Sequence, residues 1–212
     1  MSRTFYAIFI DMEPTKIEEP TKGQSFWELL RFTIIAILIV VPIRLLVAEP
    51  FVVLGSSMVP IFDNANYLIV DKISYKLGNP KRYDVVVFKH QTGNSLEPTY
   101  VYYIKRIIGL PNETVDVESS QNKVTITNNE HPDGFELDQP FVKNIGGIDA
   151  HVALASDEYF VMGDNRSSSS DSRSWGPVKK EFITGKAFLR LLPLKKIGVS
   201  PGQYQKSDKQ SQ

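Results

Sequence analysis

One strongly apolar segment near the N-terminus, followed only by short β-branched and aromatic runs, constrains this chain more than any other feature. Residues Phe32 to Ile43 carry no charge, and Arg31 and Arg44 bracket them. That stretch alone is too short for a bilayer, which needs about 20 residues. If both arginines snorkel, the usable segment grows to Leu29–Val47, long enough at ~1.5 Å per residue. Pro42 sits near one end, where a kink is tolerated. Trp27 suits a membrane interface. A buried helix of a soluble domain and a secretory segment cleaved after Ala48 are the alternatives. Leu46 is a poor residue two places before such a cleavage, and Arg44 interrupts the apolar region, so a retained anchor is the better reading. Lys16, Lys22 and Arg31 precede the segment, whereas only Arg44 follows closely. That bias places the N-terminus in the cytoplasm and the bulk of the chain outside, in the cell membrane as a single-pass protein.

Beyond Glu49 the pattern becomes period-two. Phe51–Leu54, Tyr67–Val70, Asp84–Phe88, Tyr100–Ile108, Thr114–Val117, Lys123–Thr127, Glu158–Met162 and Lys186–Leu192 read as strands, separated by Gly, Pro and Asn turns. No long 3.6-residue periodicity follows the anchor. The expected fold is mainly β, behind one N-terminal transmembrane helix. The expected organisation is a tail at 1–25, cytoplasmic and poorly ordered, and an anchor at 26–48. An extracytoplasmic β domain follows at 49–199, with an insertion at 118–156, and a disordered tail at 200–212.

The 24 basic and 24 acidic side chains cancel, which gives no electrostatic case for nucleic acid as a partner. With no cysteine, disulfides, thiolate metal sites and a cysteine nucleophile are excluded. His90, His131 and His151 show no metal-binding spacing, and neither a metal nor a cofactor is expected. His90 falls in the polar run Lys89–Asn94, which reads as a loop, and all three histidines read as solvated surface residues.

Three motifs remain. Gly55-Ser56-Ser57-Met58-Val59-Pro60 ends an apolar strand, with a glycine that permits unusual backbone angles and a proline that fixes the exit. Tyr103-Ile104-Lys105-Arg106-Ile107-Ile108-Gly109 reads as a strand in which Lys105 points opposite to Ile104 and Arg106. Gly163-Asp164-Asn165-Arg166 leads into Ser169-Ser170-Asp171-Ser172-Arg173. Taken singly, these read equally as a turn serine, an edge lysine with its amine in water, and a polar turn. Taken together, a serine hydroxyl needs a base, and a lysine made neutral by burial can serve.

In this order behind an apolar segment, the motifs resemble a type I signal peptidase, in its small, single-anchor, Gram-positive-like form. The resemblance spans Phe26 to Gly198. It implies a signal-peptidase-like β-fold and a membrane-anchored serine endopeptidase that removes signal peptides with a Ser-Lys dyad. Ser57 would be the nucleophile and Lys105 the general base. Ser169 would orient the lysine, while Asp164, Asp171, Arg173 and Arg106 would hold the framework, Arg106 pairing with Asp164. Gly55, Ser57 and Met58 would lie at the oxyanion and substrate side. The partners implied are preprotein signal peptides, membrane lipid and a neighbouring secretion translocon. The chain departs from the family pattern at Gly55, where a hydroxyl residue is common. Further departures are Ile61, Tyr83 in the usual Arg-Gly-Asp, and Asn112-Glu113 in the usual Gly-Asp. A specialised pilin-processing Ser-Lys peptidase, or a non-catalytic anchored β-domain that binds envelope peptides, are the competing expectations.

Overall fold

The computed structural model describes residues 22–42, 47–92 and 99–204. Residues 1–41 and 42–212 form two compact units. The tail expected at 1–25 lies outside the described residues as far as position 21. In the first unit, helix α1 (Lys22–Pro42) runs 21 residues. Most of its large apolar side chains, among them Phe26, Trp27, Phe32, Leu38 and Val40, are exposed. Among the described residues no helix is long and apolar enough to cross a membrane.

The second unit is mainly β. Its strands are β1 (Ala48–Val52), β2 (Tyr67–Asp71), β3 (Val85–Thr92), β4 (Thr99–Gly109), β5 (Thr114–Glu118), β6 (Lys123–Thr127), β7 (Phe135–Glu136), β8 (Ala150–Ala153), β9 (Glu158–Met162), β10 (Val178–Lys179), β11 (Ile183–Leu192) and β12 (Gly198–Val199). Two short helices, α2 (Ile73–Leu77) and α3 (Ser172–Trp175), punctuate them. The larger sheet has the order β1-β2-β11-β3-β4-β9-β10, with β12 beside β11, and the smaller has the order β7-β6-β5-β8.

Three clusters of buried side chains hold these layers. Ile108, Phe160 and Met162 of the larger sheet meet Val115, Val124 and Ile126 of the smaller one. Val86, Phe88, Ile107 and Val161 form a second cluster. Val53, Met58, Phe62, Leu68 and Val85 form a third. β4 passes between the clusters. Its first half, near Thr99 and Tyr100, is exposed, and its last five residues are all buried. Alternation in that half marks two buried faces rather than an inside and an outside.

The sheet curls. β1 and β4 are far apart in strand order, yet the rings of Phe51 and Tyr102 lie 5.0 Å apart. Among the described residues, β4 from Thr99 to Lys105 pairs only with β3, because its pairing with β9 begins at Arg106. Among the described residues β1 pairs only with β2. Two open strand edges therefore face one cleft.

Several boundaries differ from expectation. α1 ends at Pro42, and Ala48, expected in the anchor, already pairs with Asp71. β3 continues through His90 to Thr92, because β4 supplies a partner for each of Lys89, His90, Gln91 and Thr92. His90 is accordingly half-buried, not a solvated loop residue. Residues 200–204, expected in the disordered tail, are packed on the β unit, and 205–212 lie outside the described residues. Pro201 is buried, the Gly202 carbonyl accepts from Arg106 Nη1 at 2.6 Å, and Tyr204 packs edge-on against Tyr83. A polar sequence carries no sign that a buried cation requires its carbonyl.

Deleting residues 200–212 should therefore destabilise the β unit. An orphaned buried donor and lost aromatic packing together cost about 2–4 kcal/mol. The urea midpoint should fall accordingly, and an unchanged midpoint would contradict the role given to this segment.

Candidate active site

Ser57 and Lys105 meet although 48 residues separate them: Lys105 Nζ donates to Ser57 Oγ at 2.7 Å. β4 delivers the lysine. Lys105 sits opposite Val86 and is 5% exposed. Burial holds its ammonium down to about 8, against the opposing pull of Asp171 and Asp164. Desolvation outweighs two carboxylates here because those carboxylates are already committed to arginines.

The tight loop after β1 delivers the serine. Gly55 has φ +94°, with open space where a Cβ would stand. Its requirement is conformational, and a side chain there would be strained rather than blocked. Its N–H donates to Asn64 Oδ1 at 3.0 Å. Met58, expected on the substrate side, is 1% exposed and packs with Val53, Phe62 and Leu68. Its side chain anchors the loop from below and does not line the cleft.

The Gly163–Arg173 loop holds both partners from behind. Arg106 and Asp164 form a two-pronged pair, Nε to Oδ1 at 2.7 Å and Nη2 to Oδ2 at 2.6 Å, with both side chains at 0% exposure. The remaining Arg106 nitrogen donates to the carbonyls of Tyr83 and Gly202. Arg173 grips Asp171 in the same way at 2.8 and 2.9 Å. Asp171 also accepts from the Gly163 N–H at 3.1 Å. Ser169, expected to orient the lysine, lies beside Gly163. Its buried Oγ has no hydrogen-bond partner among the described residues.

Three residues of this loop carry functions not assigned from sequence. Gly163 is needed for close approach, since a Cβ there would stand 2.3 Å from Ser169 Oγ and 2.5 Å from the Ser57 carbonyl. Asn165 clamps the serine loop, its N–H donating to the Ser57 carbonyl at 2.9 Å and its Nδ2 to the Ser56 carbonyl at 3.1 Å. Arg166 is buried and donates to the Gly163 carbonyl and to Gln139 Oε1. Burial first, and the Arg173 charge second, lower its pKa to about 10. All three stand inside the quoted motif, but their contacts are long-range.

The cleft in front of Ser57 has a volume of about 620 Å3. Its walls include Phe51, Val53, Leu68, Val87, Tyr102 and Ile104, with Ser57, Lys105 and Ser170 also in the lining. This is an apolar trough with a few convergent polar groups, the composition of a substrate site. Among the described residues no group of three or more His, Cys, Asp or Glu side chains could hold a metal ion.

Comparison with known proteins converges on one family. A family model described as signal peptidase, peptidase S26, matches residues 26–192. A probable signal peptidase I-2 from Synechocystis sp. is 34% identical over 188 residues, covering 88% of this chain and 83% of that protein. A signal peptidase I from Leptolyngbya laminosa is 30% identical, covering 85% of this chain and 86% of its own. One from Bacillus caldolyticus is 32% identical, covering 77% and 90%.

The buried pair behind the site generates a stability prediction. Asp164→Asn leaves the Arg106 guanidinium without a counter-charge in a dry environment. Removing one partner of such a pair costs about 3–5 kcal/mol. Chemical denaturation should show that loss, and a variant as stable as the parent would mean that the pair does not hold the site.

Proposed function

The chain belongs to the signal peptidase family, peptidase S26, and from that premise we propose that Ser57 and Lys105 form its catalytic dyad. It is a serine endopeptidase that removes signal peptides from preproteins. The observation that carries the assignment of the dyad is the 2.7 Å hydrogen bond between a buried lysine amine and an accessible serine hydroxyl at the foot of an apolar cleft.

The chemistry follows from that geometry. Neutral Lys105 accepts the proton from Ser57 Oγ as the oxygen attacks the scissile carbonyl. The developing oxyanion is stabilised by backbone N–H groups, that of Ser57 among them, because Gly55 supplies no hydroxyl. The tetrahedral intermediate collapses, the C–N bond breaks, and Lys105 returns the proton to the leaving amine. Water, deprotonated by Lys105, then hydrolyses the acyl-enzyme. Ser169, whose Oγ has no partner among the described residues, is free to orient the amine, and the Arg106–Asp164 and Arg173–Asp171 pairs keep the loop in place. An extended substrate segment fits between the open edges of β1 and β4, where backbone hydrogen bonds give affinity and alternate side chains enter the cleft.

The membrane arrangement belongs to the same proposal. The exposed apolar side chains of α1 support anchoring. The proposed span, 29–47, runs past Pro42 into residues 43–46, which lie outside the described residues. The N-terminus would be cytoplasmic, and the β unit extracytoplasmic, close to lipid and to the secretion translocon. Protease added to intact spheroplasts should digest the β unit and spare an N-terminal tag. The reverse pattern would overturn this topology.

Kinetics test the dyad. Ser57→Ala and Lys105→Ala should each lower preprotein cleavage by several orders of magnitude, and the double variant should be little worse than either. Because the base must be neutral and burial lowers its pKa, kcat/KM of the parent should rise with pH through about 8 and level off above it. A profile flat across that range, or full activity in Ser57→Ala, would refute the assignment.

A further inference from the structure

We propose that His90 is a positioning residue for this reaction: stacked on Tyr103, it holds that ring against Lys105 and so keeps the base aimed at Ser57. The inference rests on the reading of Lys105 as the general base. It begins with strand register. In the β3–β4 ladder, Val86 lies opposite Lys105, Phe88 opposite Tyr103 and His90 opposite Val101. Opposed residues share a face, and so do alternate ones along each strand. Lys105, Tyr103 and His90 therefore lie on one face, with Tyr103 between the other two.

The contacts follow that order. Lys105 Nζ stands 5.3 Å from the Tyr103 ring centroid. The His90 ring stacks on Tyr103 at 5.0 Å and 18°. Trp175 backs His90 at 4.4 Å, and Phe88 meets the Tyr103 ring edge-on at 6.2 Å. Tyr103 and Lys105 both line the cleft. A Tyr103 ring released from its support would swing and admit water to the amine. No step of the cleavage chemistry uses His90.

Electrostatics agree with a neutral support. Partial burial first, and the Lys105 charge second, hold His90 below its ordinary pKa. It is thus an uncharged plate where the dyad works and adds no like charge beside the base. The other groups that bear on Lys105 are Asp171 and Asp164 from the loop behind it and the Ser57 hydroxyl in front. Each carboxylate is held by its own arginine. A change confined to the stack should act on Lys105 through the Tyr103 ring and the water that ring excludes.

The test is the pH dependence of preprotein cleavage by the full-length protein and two variants. His90→Ala removes the supporting plate. The ascending limb of kcat/KM should then move up by about one pH unit, and the rate at neutral pH should fall about tenfold. KM should stay within about twofold of the parent. His90→Phe keeps a planar ring without a titrating group, and its limb should match the parent. Should His90→Ala fail to fold, His90→Leu, which fills the volume without a flat face, takes its place with the same expectation. An unmoved limb in the Ala or Leu variant, or an equal shift in the Phe variant, would overturn the proposal. A parent enzyme with no ascending limb would instead refute the dyad reading, and this inference with it. A limb present in the parent but unmoved in His90→Ala refutes positioning alone.

Discussion

The architecture of the site depends on the buried pair of Arg106 and Asp164. Both side chains are fully buried, so each is tolerable only because the other is present. The guanidinium fork has donors beyond the two spent on the carboxylate, and an unpaired buried donor is expensive. The Tyr83 carbonyl and the Gly202 carbonyl take them. One ion pair thereby draws together β4, the Gly163–Arg173 loop, the turn before β3 and the C-terminal segment. Arg106 is also the neighbour of Lys105. Pinning Arg106 on one face of β4 sets Lys105 on the other, where Ser57 stands.

The lysine then experiences two opposing influences. Asp164 and Asp171 favour its charged form, and burial disfavours it, with burial the larger. Each aspartate carries its own arginine, which leaves little field at the amine. The same loop fixes the serine from the other side, through Asn165 and the close approach at Gly163. Nucleophile and base are thus positioned by one element in addition to their own hydrogen bond, the pre-organisation that a weak nucleophile requires.

Two departures from the family pattern have a shared physical setting. Tyr83 and Asn112 replace glycines of that pattern, and both have left-handed backbone, at φ 70° and 64°. Asparagine tolerates that region, whereas tyrosine is strained there. Aromatic contacts with Phe141 and Tyr204, 5.8 and 5.0 Å away, offset the strain at Tyr83. The adjacent residues Arg82 and Glu113 join in an ion pair at 2.6 Å, so the two turns are coupled across the sheets.

By itself the sequence determined the class of the domain and most of its strand locations, and its motifs singled out a serine, a lysine and the Gly163–Arg173 loop. The strands follow from local rules, period-two alternation and turn residues, whereas the roles of the serine, the lysine and the loop come from the resemblance that their motifs carry together. Val85–Phe88 and Glu158–Met162 were legible for that reason. Only the tertiary structure decided the rest, because the deciding partners are remote in sequence. His90 became a strand residue when β4 supplied its partner, and Met58 went into the core when Phe62 and Leu68 closed over it. Gly202 became indispensable when a buried arginine needed a carbonyl. The apolar neighbours Ile104, Ile107 and Ile108 pointed to a buried, depressed Lys105, and the packed fold supplied the burial itself. Desolvation is a property of those packed surroundings.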